Sequence, residues 1–83
     1  MYEVGKRVRL RRDSFVSREP FELAPWLRPA TNGEDVAAKA GSAGKVIELL
    51  LLDGYPHRGV LHPVLALDDE RRFTVAHYDV EPA

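Results

Sequence analysis

The chain has no cysteine. Disulfides, a thiolate nucleophile and cysteine-ligated zinc or iron–sulfur centres are therefore excluded. It also lacks an excess of either charge: 12 basic and 13 acidic residues leave a formal net charge of −1. Bulk attraction to nucleic acid or to an anionic membrane loses its simplest driving force. No apolar run approaches the roughly 18 residues that a membrane-spanning helix needs. The opening residues, Met1 to Lys6, carry no signal-peptide apolar stretch. A cytoplasmic protein with no membrane partner is the resulting expectation. Aromatic residues are few, at 8%. What remains is ordinary for a globule: 45% apolar and 30% charged residues over 83 positions, enough for one core and not for two. Residues 1–83 are therefore read as a single domain.

The second half has the grammar of short strands joined by tight turns. Gly41-Ser42-Ala43-Gly44 opens it, with Gly41 and Gly44 bracketing a turn that favours positive φ. Lys45 to Leu52 is apolar on both faces: Val46, Leu50 and Leu52 fall on one by simple alternation, Ile47, Leu49 and Leu51 on the other. Such a strand is either covered on both sides or presents a contact surface. Asp53-Gly54 marks a turn. Val60 to Leu67 follows, with Pro63 expected at an edge or a bulge. Asp68-Asp69-Glu70-Arg71 is a polar hairpin tip, Arg72 to His77 pairs back with Phe73 and Val75 inward, and Val80 returns to the core after a short turn.

The first half is less regular. Tyr2, Val4, Val8 and Leu10 alternate with Glu3, Arg7, Arg9 and Arg11, the period of a half-buried strand, with a bend at Gly5. Residues 13–40 hold three of the six prolines, at 20, 25 and 29, which argues against a central strand. The same segment carries Phe15, Val16, Phe21, Leu23, Trp26 and Leu27, too much apolar surface for a free linker. It reads as a long ordered loop folded over the strands. Thr31 and Glu34 have capping-box spacing, so a helix of about two turns is expected before Gly41.

Candidate chemistry is thin. His57, His62 and His77, with Asp53, Asp68 or Asp79, lack the spacing of a metal set, and they read as surface or hydrogen-bonded histidines. The carboxylates of Asp68, Asp69 and Glu70 keep a turn solvated rather than facing one another across a cleft. Ser14, Ser17 and Ser42 have no base–acid context, and Gly41 to Lys45 lacks the spacing of a phosphate loop. No catalytic, cofactor or metal set is assigned. Lys6, Arg7, Arg9, Arg11 and Arg12 form a basic stripe, read as a solvated face paired with local acids, with a nucleic-acid grip through Arg7, Arg9 and Arg11 as the alternative. Trp26, with Phe21, Leu49 and Leu51, is the most distinctive constellation: packing of a lid is its structural role, and a protein-binding surface its functional one.

The strand segments carry a resemblance. Gly5-Lys6-Arg7-Val8-Arg9-Leu10, Ala43-Gly44-Lys45-Val46-Ile47, Pro63-Val64-Leu65-Ala66-Leu67, Arg72-Phe73 and Ala76-His77-Tyr78-Asp79-Val80-Glu81 resemble the SH3-like electron-transport accessory barrels. That group includes the variable chain of ferredoxin–thioredoxin reductase, a small accessory barrel of photosystem I and the C-terminal barrel of the nitrile hydratase β chain. The resemblance implies a five-stranded, mainly β SH3-like barrel that is non-catalytic and serves a metalloenzyme or redox-enzyme subunit on another chain. The insertion at 13–40 departs from that pattern. The trimethoprim-insensitive dihydrofolate reductases, small barrels with a site between subunits, have a Val-Gln-Ile-Tyr strand where this chain has Arg72-Phe73-Thr74-Val75; an oligomeric enzyme is the third expectation.

Overall fold

A computed structural model describes residues 3–17, 25–31, 33–52 and 59–83. Seven strands run in the order β1 (Arg7–Leu10), β2 (Ser14–Ser17), β3 (Trp26–Pro29), β4 (Ala43–Leu52), β5 (Val60–Leu67), β6 (Arg72–Val75) and β7 (Val80–Pro82). They form one open mixed sheet with spatial order β2-β3-β6-β5-β4-β1-β7. Every neighbouring pair is antiparallel except β3 and β6, which run parallel. The mainly β expectation holds, with seven strands rather than five.

One face of the sheet forms the core. Val8, Leu10, Leu27, Val46, Leu65, Phe73, Val75 and Val80 pack there with Leu67 and Ala38. β1 follows its alternation: Arg7 and Arg9 are exposed, Val8 and Leu10 buried. The strand is shorter than the sequence period suggests. Gly5 sits at φ +94° in a turn with Val4, which is 62% exposed, so the regular strand starts at Arg7, just after the Gly5 and Lys6 backbone bonds to Val46. Tyr2 lies outside the described residues.

The 13–40 segment corrects the reading of a loop. Its described parts supply a hairpin, β2 with β3, that joins the sheet through Trp26↔Thr74 and Leu27↔Val75. β3 tolerates Pro29 because the ladder to β6 has ended by Leu27, and no donor is needed there. The expected helix is absent among the described residues. The start signal is half made: the Thr31 N–H donates to the Glu34 carboxylate at 3.2 Å. The backbone then goes elsewhere. The Ala37 and Ala38 N–H groups donate to the Ser14 carbonyl at 2.8 and 3.2 Å, and the Ser14 N–H donates to Ala38 at 2.7 Å. Donors that a helix would have used internally are taken by a strand edge.

β4 carries a second correction. A bulge between Val46 and Glu48 inserts one residue against β5. Simple alternation therefore fails beyond it. Val46 opposes Leu65, and Leu49 opposes Pro63, so Leu49 and Leu51 continue the face of Val46, while Leu50 opposes His62 on the other face. Gly41 takes φ +87° as expected, but Gly44 is a strand residue without positive φ. Pro63 lies just past the residues of β5 that pair with β6, which are 64–66.

Candidate functional site

Two surfaces emerge from this architecture. The first is the far end of the β4–β5 ribbon. The β1–β4 ladder covers residues 43–45 and is extended to Val46 by its backbone bonds with Gly5 and Lys6, and β6 pairs with β5 at 64–66. Beyond them the ribbon continues through Leu49↔Pro63, Leu50↔His62 and Leu51↔Leu61, and among the described residues no further strand flanks it. Leu49 packs partly against the core. Leu51 and Leu61, a cross-strand pair on that same face, are 58% and 38% exposed. Two apolar side chains thus extend the core face into solvent.

The opposite face of the ribbon is covered. Trp26 is 1% exposed and packs with Ala76 and Leu50. Its ring meets His62 edge-on at 5.5 Å. His62 is itself fully buried, and its Nδ1 accepts a hydrogen bond from the His77 N–H at 3.4 Å. The rings continue outward, His62 to His77 at 5.4 Å and His77 to Tyr78 at 5.2 Å. Trp26 therefore fastens the hairpin to the sheet and is not available to a partner. Leu49 and Leu51 lie on the other face from it, because of the bulge. Phe21, Leu23, His57 and Asp53 lie outside the described residues.

The second surface is charged. The basic stripe of β1 is divided. Arg7 makes a two-pronged contact with Asp68, at 2.8 and 3.2 Å, and Arg9 lies 3.4 Å from Glu81. The Arg7 guanidinium holds the Asp68 carboxyl below its ordinary range, chiefly by hydrogen bonding. Hydrogen bonds from the Arg71 side chain and backbone do the same for Asp69. Two carboxylates of the hairpin tip, Asp68 and Asp69, are thus engaged with arginines. Arg11 and Arg12 behave differently. The Arg11 guanidinium donates to the Tyr78 carbonyl at 3.1 Å, and Arg12 reaches Asp79 at 3.5 Å. Arg28 approaches from β3, its guanidinium 4.8 Å from the Trp26 ring centre. Sequence spacing could not have revealed this grouping, since its members come from three separate segments.

Asp79 is the buried member, its side chain 5% exposed. Burial pushes its carboxyl pKa up, against the attraction of Arg12, Arg28, Arg11 and His77. The folded state therefore holds the Asp79 proton more tightly than the unfolded chain. The stability this provides is present below the ordinary Asp value of about 3.9 and is lost as pH rises through the raised folded value. Asp79→Asn removes the loss. The variant is expected to melt at or above the wild-type temperature near neutral pH, with the difference shrinking as pH falls toward about 4. A series of thermal melts checks this; a variant less stable than wild type near neutral pH would show that the arginine contacts outweigh burial.

Among the described residues, no group of three or more His, Asp or Glu side chains is placed to hold a metal ion, and no helix is long and apolar enough to cross a membrane. A shallow cleft beside β2, lined by Phe15, Val16, Val36 and Ala37 with Glu34 and Asp35, converges on no catalytic pair. No family model, curated protein or solved structure matches the chain.

Proposed function

We propose that this protein is a small non-catalytic binding module that docks on a protein partner through the projecting end of β4 and β5. The exposed Leu51–Leu61 pair carries the proposal. Both side chains continue an apolar face beyond the part of the sheet that covers it. Burying one leucine is worth about 1.5–3 kcal/mol, so the pair supplies enough for a hot spot. The ribbon that presents it is held on its other face by Trp26, Leu50 and Ala76, which spares a partner the cost of ordering it.

The SH3-like reading supports the same role. The run β7-β1-β4-β5-β6 is antiparallel throughout, with the long segment 13–40 inserted between β1 and β4. A metalloenzyme or redox-enzyme subunit is the partner class that the sequence resemblance implies. The grip of Arg7 and Arg9 on nucleic acid has less support, because Asp68 and Glu81 occupy those side chains.

The test is a paired capture experiment with wild type and a Leu51→Ser, Leu61→Ser variant. Both positions are exposed, so the change in stability is expected to stay within about 0.5 kcal/mol per site. Captured proteins are expected to fall by tenfold or more in the variant. An unchanged set of captured proteins, from a variant with unchanged melting temperature, would refute the assignment.

A further inference from the structure

We propose that the projecting end of β4 is a self-association edge, to which a second copy of this chain adds antiparallel, β4 against β4, about a two-fold axis at Leu50. The inference rests on the reading of the ribbon end as a docking surface and names an occupant for it.

The backbone supplies the first reason. The Leu67 N–H donates to Arg71 of the β6 side, so alternation turns the backbone groups of Ala66, Val64 and His62 toward β4. Glu48 and Leu50, opposite Val64 and His62, turn theirs toward β5. Leu49 and Leu51 therefore aim their N–H and C=O groups at the other side, which β1 occupies only as far as Val46. Among the described residues, no backbone group bonds to them there. The two outer edges of the sheet are blunted by contrast. β2 is capped at Ser14 by Ala37 and Ala38, and β7 ends on Pro82, which has no donor. Residues 47–52, Ile-Glu-Leu-Leu-Leu-Leu, hold no proline, no lysine and a single charge, the composition of an edge that pairs.

Self-complementarity names the occupant. With the axis at Leu50, Leu49 lies opposite the partner's Leu51, and Leu51 opposite the partner's Leu49. Each of these pairs exchanges two N–H to C=O bonds, so every free group of Leu49 and Leu51 in both copies finds a match. Opposed side chains share a face, so the exposed pair of Leu51 and Leu61 continues into the partner's Leu49. The one charge is placed without conflict. Glu48 falls opposite the partner's Leu52 rather than opposite a second Glu48, and a net charge of −1 adds little repulsion between copies. Area sets the strength. Residues 48–52 span about 17 Å, so the contact falls well below the roughly 800 Å² per partner of a stable complex. Self-association is therefore weak, with a dissociation constant of about 10⁻⁵ to 10⁻³ M.

The experiment is sedimentation velocity on the whole chain from about 5 μM to about 1 mM protein, a range that brackets a weak contact. The mass is expected to rise from 9.3 kDa toward twice that value. Over the same series the amide NMR signals of Leu49 and Leu51 should shift most, and those of Glu48 and Leu50, already turned to β5, should shift less. Leu51→Pro removes a donor that the single chain leaves unused, so it should weaken self-association about tenfold or more while the monomer stays folded. Three results would overturn the inference: a monomer throughout the range, a dimer whose shifted amides lie away from Leu49 and Leu51, or a dimer of equal strength in Leu51→Pro. The first two use wild type alone, so they stand even if the variant unfolds. A chain that stays monomeric, yet loses captured proteins in Leu51→Ser, Leu61→Ser, would overturn the second copy and leave the proposed function standing with a foreign occupant. A dimer as described, with an unchanged set of captured proteins, would support this inference and sink that function.

Discussion

Trp26→Ala is expected to remove about 3–5 kcal/mol of stability. A chain of 83 residues commands about 4–12 kcal/mol in total, at 0.05–0.15 kcal/mol per residue. The substitution therefore takes a large share of it. The melting temperature should fall by roughly 12–40 °C, at about 4–8 °C per kcal/mol for a domain of this size. The reason is position as much as volume. Trp26 is 1% exposed and is the residue through which the β2–β3 hairpin meets β6, Leu50 and His62. Among the described residues, the hairpin's ladder to the rest of the sheet covers two residue pairs, with the Thr74 N–H also donating to the Pro25 carbonyl. Without the ring, the attachments left among the described residues are the Leu27 side chain in the core, the short backbone ladder to β6 and the Ser14–Ala38 bridge. Trp26→Phe should recover part of the loss. Thermal melts followed by circular dichroism decide the matter. A Trp26→Ala variant that melts within a few degrees of wild type would mean that the ring is not buried.

The parts of the fold that can be read from sequence are those where local pattern and tertiary role agree. Arg7-Val8-Arg9-Leu10 alternates and sits half-buried with that period. Phe73 and Val75 face the core, and Val80 returns to it. The misreadings share one cause: a non-local partner outvotes a local signal. Prolines at 25 and 29 suggest a loop, yet Pro29 falls where β3 has already left β6. Thr31 and Glu34 open a helix that never continues, because Ser14 claims the donors of Ala37 and Ala38. Alternation places Leu50 with Val46, and one bulged residue moves it to the opposite face. The candidate surfaces follow the same division. Leu51 is legible as part of an apolar surface from its apolar neighbours alone, and it is exposed. The grouping of Arg12, Arg28 and Asp79 depends on three segments meeting, and no spacing in the sequence encodes it.

Gly44→Ala is expected to destabilise by about 1–3 kcal/mol, with a fall in melting temperature of roughly 4–24 °C. The sign is the informative part. Alanine in place of glycine inside a strand ordinarily helps, by about 0.5–1 kcal/mol, because it restricts the unfolded chain. Gly44 has no positive φ that would forbid a side chain. Its constraint is space. It opposes Val8 of β1 on one side and Leu67 of β5 on the other. A Cβ there would lie 2.6 Å from the Ala66 carbonyl oxygen and 3.1 Å from the Leu67 Cα. Both obstacles are backbone, so relief requires moving β5, and with it the buried residues Leu65 and Leu67. Gly41→Ala offers the contrast. Nothing lies within 4 Å of where its Cβ would sit, but its φ of +87° is unfavourable to alanine, so its cost, about 1–2 kcal/mol, comes from backbone strain at an exposed turn. Second-site changes separate the two: Leu67→Ala, which does not touch the Ala66 carbonyl, should fail to rescue Gly44→Ala. A Gly44→Ala protein at least as stable as wild type would show that β4 and β5 do not approach this closely, and the register that places Leu51 opposite Leu61 would need to be redrawn.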